Sequence, residues 1–167
     1  MMPIAAKTIL VAGLVAATVI DMRTRRIPNA LTATMAGLGF AMALTRISAI
    51  SPAAAVLGFV LGLALMLPGY ALGATGAGDA KLMAAVGAIV GPHVVSRAFL
   101  ATAIAGGILA LVVAIRRGRL ATTLAGTGRL VKAPTEARRT LQSHTHASRF
   151  AYGPAIAVGS LVAILIR

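Results

Sequence analysis

Apolar residues fall along the chain in six long stretches, at about 4–20, 30–45, 53–73, 80–95, 98–115 and 151–166, each bounded by charge, Pro or Gly. Most lie near the roughly 20 apolar residues that a helix needs to cross a bilayer. The pattern predicts an all-α, polytopic membrane protein with about six transmembrane helices, forming one membrane-embedded domain over residues 1–167. The first stretch has only Lys7 ahead of its apolar core and no small-residue cleavage site before Asp21, so it is expected to stay attached rather than act as a signal peptide. The fourth is interrupted by Gly87, Gly91 and Pro92, and by itself it also fits a half-span or a re-entrant segment.

Charge decides between these. With six spans, the odd-numbered loops carry 12 of the 16 Lys and Arg residues: Arg23, Arg25 and Arg26, then Lys81, then the eight basic residues from Arg116 to Arg149. Basic residues concentrate on the cytoplasmic side, which places the odd loops inside and both termini outside. A fourth segment that failed to cross would put Arg23–Arg26 opposite the long basic loop, which the same rule disfavours. Residues 116–150 are the one long polar stretch and read as a basic cytoplasmic loop lying on anionic lipid headgroups.

Composition then removes whole classes. At 59% hydrophobic and 11% charged residues, with a mean hydropathy of +0.93, the chain is not a soluble domain. Its net charge of +13 would fit nucleic acid in a polar chain, but here aromatic residues are only 4% and the remainder is apolar, so lipid and topology account for it. The absence of Cys excludes thiol catalysis, iron–sulfur clusters and thiolate zinc sites. His144 and His146 have no carboxylate near them in sequence, and His93 stands alone; no metal or cofactor is expected. The spacings Gly58-x3-Gly62 and Gly69-x3-Gly73 allow close helix contact, expected mainly within the bundle.

The chemistry therefore narrows to three acids, Asp21, Asp79 and Glu136. Glu136 lies in the basic loop, where Arg138 or Arg139 can neutralise it, and is assigned no role. Asp21 closes the first span and Asp79 opens the fourth, so the charge argument puts both at the cytoplasmic boundary. Ionisable groups there are functional candidates by default. Taken singly, Asp21 fits an interfacial carboxylate paired with Arg23 or Arg25, and Asp79 a helix N-cap. Together, with Gly76 and Gly78 leaving bare backbone where a peptide can approach, they fit a paired-carboxylate site that activates water for peptide hydrolysis. A proton- or cation-coupled transporter using the same two acids is the alternative. Pro28 pushes Ile27 out of helical conformation and Asn29 is a good cap for a helix starting at Ala30, so Ile27-Pro28-Asn29 should make a tight re-entry near Asp21. Lys81 either orients a substrate acid or, as favoured, snorkels to headgroups.

These segments resemble the signatures of the type IV prepilin peptidases. Asp21-Met22-Arg23-Thr24-Arg25-Arg26-Ile27-Pro28-Asn29 is similar to the first, and Gly76-Ala77-Gly78-Asp79-Ala80-Lys81-Leu82 to the second, the GxGD motif. Arg149-Phe150-Ala151-Tyr152-Gly153-Pro154-Ala155-Ile156-Ala157 looks like the segment leading into the family's last helix, with Ala151 where many members have proline. The resemblance implies an aspartyl endopeptidase with Asp21 and Asp79 as its dyad. Its substrates would be prepilins with a transmembrane helix, cut after a basic leader at the cytoplasmic face of a prokaryotic inner membrane. The small size is similar to the peptidases of the tight-adherence (Flp) pilus systems, and nothing offers the domain needed for N-methylation.

Overall fold

The computed structural model describes residues 2–116 and 152–166. The basic loop, with Glu136, His144 and His146, lies outside the described residues. These residues form six helices: α1 (Ile4–Thr24), α2 (Asn29–Leu44), α3 (Pro52–Ala71), α4 (Ala77–Val90), α5 (Pro92–Arg116) and α6 (Gly153–Leu165). Three helical stretches are long and apolar enough to cross a membrane, Ile4–Thr24, Pro52–Ala71 and Pro92–Leu109, while α2 and α6 are shorter apolar helices.

The bundle is arranged around α4, which touches each of the other five helices. Its 14 residues are buried on nearly every side, from Asp79 and Ala80 through the run Leu82–Val90. The outer helices turn their large apolar side chains outward instead: Val11, Val15 and Val19 on α1, Val56, Leu57 and Val60 on α3, Leu100 and Ile104 on α5. In water this would be an aggregation liability; in lipid, aliphatic side chains cost nothing on the outside, and helices associate by packing small residues closely. Gly58 and Gly62 show how. A Cβ on Gly58 would fall on the Gly87 carbonyl, and one on Gly62 would stand 2.5 Å from the Met83 carbonyl oxygen, so α3 and α4 cross backbone to backbone. The expectation of bundle packing holds for this pair. It does not hold for Gly69 and Gly73: Gly69 meets the Thr75 side chain, and Gly73 lies beyond α3 at φ +76° with nothing near its Cβ direction.

Two boundaries differ from the sequence pattern for one reason. The fourth apolar stretch, expected to run to 95, ends as a helix at Val90, because Gly91 takes φ +80° and reverses the chain. Pro92, whose fixed φ and missing N–H suit a first helical residue, then starts α5 six residues ahead of the expected 98. Arg97 is exposed on α5 and does not interrupt it.

Candidate active site

Asp21 stands one turn before the end of α1 and is buried, at 5% exposure. The helix stops one turn later, at Thr24, because Arg25 adopts φ 52° and returns its N–H to the Asp21 carbonyl oxygen at 2.8 Å, a left-handed C-cap. The chain then turns back through Ile27 and Pro28, as the motif predicts. Ile27 is buried against α4, its Cβ 3.1 Å from where a Cβ on Gly78 would stand. Any side chain at position 78 would press on Ile27, so Gly78 also makes room for this packing, a use the sequence did not suggest.

Asp79 sits in the first turn of α4, 7% exposed. It is not the N-cap expected from its residue type. Gly76 occupies that position, and Asp79 Oδ2 accepts the Gly76 N–H at 2.8 Å, the carboxylate half of a capping box. The short polar turn between α3 and α4 thus fixes the carboxylate through the backbone. Asp79 lies close enough to Asp21 for the charge of one to act on the other.

The third wall comes from the far end of the chain. The Gly153 N–H, at the start of α6, donates to Asp21 Oδ2 at 2.9 Å in a buried hydrogen bond. Tyr152 immediately before it lays its ring on α5, where a Cβ at Gly106 would stand 2.7 Å from the phenol oxygen. Each acid thus gives its Oδ2 to a backbone amide. Among the described residues, no hydrogen bond occupies either Oδ1.

Residues 8–111 of the chain match the Type IV leader peptidase family. The chain belongs to this family. Comparison with curated proteins and with solved structures gave no match. Membership makes it a leader-peptidase-type protease, and with its apolar helices a membrane protein. The matched segment contains both Asp21 and Asp79 and stops before α6, so the Gly153 contact lies outside it.

The remaining motif residues of this family member serve to hold the two acidic segments together. Lys81 Nζ donates to Asn29 Oδ1 at 2.8 Å, tying the start of α4 to the start of α2. This corrects two expectations. Asn29 is not a cap, because Pro28, extended at φ −63° and ψ 136°, takes the N-cap position and Asn29 is the first helical residue. Lys81 has a protein partner instead of reaching only for headgroups. The structure brings together Asp21, Ile27, Pro28, Asn29, Gly76, Gly78, Asp79 and Lys81 at one end of the bundle. Sequence reasoning gave no role to Tyr152 or Gly153. The only signal for them was the third family segment, which was read as concerning the start of a helix.

Proposed function

We propose that this chain is an aspartyl endopeptidase that removes the basic leader from Flp-type prepilins at the cytoplasmic face of a prokaryotic inner membrane, with Asp21 and Asp79 activating the attacking water. In this reading all six hydrophobic segments cross or enter the membrane, the odd loops and the dyad face the cytoplasm, and both termini lie outside, as the distribution of basic residues favours. The observation that carries it is the convergence of two buried carboxyl groups from α1 and α4, each with one oxygen held by a backbone amide, within a leader peptidase family member.

The chemistry follows from that arrangement. One carboxyl is protonated and the other ionised. The ionised one takes a proton from a water between them as the water oxygen adds to the scissile carbonyl carbon; the protonated one gives its proton to the carbonyl oxygen. Collapse of the tetrahedral species returns that proton to the dyad and breaks the C–N bond, and the amine leaves with a proton from the other carboxyl. The leader leaves as a carboxylic acid and the pilin as a free amine. A prepilin anchored by its own helix arrives by lateral diffusion, so repulsion between its basic leader and this basic face is offset by confinement to the membrane. Peptidase action without N-methylation is part of the proposal.

The deciding experiment is leader removal from candidate Flp-type prepilins in reconstituted membranes. Asp21→Asn and Asp79→Asn should each abolish cleavage while the protein still inserts, because an amide can neither take the proton nor share it. Substantial cleavage by either variant overturns the assignment. Ion-dependent vesicle uptake without proteolysis, blocked by the same substitutions, would establish the transporter instead.

A further inference from the structure

The contact between Gly153 and Asp21 joins residues 132 positions apart, is buried, and ends on a carboxylate oxygen. It depends on two properties of glycine at once. The backbone N–H is presented to Oδ2 at 2.9 Å, and the missing side chain lets α6 start against the acid: a Cβ at position 153 would stand 2.9 Å from Asp21 Oδ2, 3.1 Å from its Cβ and 3.3 Å from its Cγ. Asp21 has no side-chain partner within α1, and the local Gly76 amide serves Asp79 alone. Farther along, α6 is fixed by a second close approach, where Gly159 meets the Thr102 backbone on α5. Tyr152, ahead of Gly153, rests on Gly106 of the same helix.

We infer that Gly153 is a positioning residue for the reaction: its amide holds the Asp21 carboxylate in the orientation in which Oδ1 faces the water and Asp79, so the docking of α6 sets the geometry of the dyad. This rests on the aspartyl peptidase reading above. A carboxylate anchored at one oxygen cannot rotate about its terminal torsion without losing a buried hydrogen bond, and reacting groups misplaced by about 1 Å lose about a hundredfold in rate.

Gly153→Ala is the primary variant. Its methyl group displaces the carboxylate or lifts α6, so kcat should fall at least about tenfold with KM changed by less than about twofold. Gly37→Ala, on α2 with nothing within 4 Å of the new Cβ, is the control for a methyl group added away from the dyad: kcat and KM should both stay at the wild-type values. Should Gly153→Ala fail to fold, the contact is read on the native glycine. In 15N-glycine-labelled enzyme in detergent micelles, the Gly153 amide should exchange slowly, and Asp21→Ala should accelerate its exchange while Asp79→Ala leaves it slow. Wild-type kcat in Gly153→Ala, or a Gly153 amide indifferent to Asp21→Ala, would overturn the inference. These outcomes are separable from failure of the peptidase reading, which would show as activity in Asp21→Asn.

Discussion

Substituting Gly62 by Ala tests whether the crossing of α3 and α4 governs the chemistry one turn away. The added Cβ would stand 2.5 Å from the Met83 carbonyl oxygen, 3.0 Å from the Met83 carbonyl carbon and 3.2 Å from the Ala84 Cα. All three are backbone atoms, so no side chain can swing aside. Ordinary contact begins near 3.4 Å, and α4 must therefore move away from α3 by about 0.9 Å at Met83. Met83 is one helical turn beyond Asp79, so the displacement reaches the carboxylate. Overpacking of this kind costs about 1–3 kcal/mol, partly offset by about 0.5–1 kcal/mol from replacing a helical glycine with alanine. The net loss of stability is thus small, about 0–2.5 kcal/mol by these figures, whereas a shift of nearly 1 Å at a reacting group costs about a hundredfold in rate. The expected result is a well-inserted enzyme, melting a few degrees lower in detergent, that cleaves prepilin 10- to 100-fold more slowly, roughly in line with that rate cost. Gly37→Ala, on an α2 face with nothing within 4 Å of the new Cβ, should cleave at the wild-type rate. Wild-type activity in Gly62→Ala would refute the claim that the α3–α4 contact positions Asp79.

Ile27→Ala removes a buried side chain that seats the α1–α2 turn on Gly78, and should destabilise by about 2–4 kcal/mol in a micelle unfolding assay, with cleavage reduced in step. Lys81→Met breaks an exposed bond to Asn29 and should lower cleavage by less than about fivefold, since such hydrogen bonds contribute about 1 kcal/mol. Cysteines placed at Thr24 and Thr75 of this cysteine-free chain should both label from the cytoplasmic side with an impermeant reagent; labelling from opposite faces would sink the topology.

What could be read from the sequence, and what could not, divides by range. The two acids stood out because ionisable groups beside hydrocarbon are costly and therefore rare, and the re-entry at Ile27-Pro28 followed from the restriction that proline places on its predecessor. Both are local effects. The break at Gly91 was visible as a glycine before a proline but lay inside an apolar run that hydropathy joins into one stretch. Asn29 was misplaced because cap preference describes an isolated helix, while here a proline sets the cap and a lysine 52 residues away claims the amide. Gly153 was out of reach altogether: a backbone donor has no residue signature, and its acceptor is known only once α6 is docked.

If Gly153 positions Asp21 as inferred above, the bond between them also dates the moment at which the dyad is completed. Translation delivers α1 first and α6 after every other described helix, so Asp21 waits in the bilayer without its amide partner while more than 130 further residues are made. A nascent chain holding only the first five helices already contains both acids, but one of them is not yet held. On the inference that this amide positions Asp21, a chain still short of α6 cuts neighbouring, newly inserted helices more slowly than the finished enzyme does, a timing effect that rests on the order of synthesis alone.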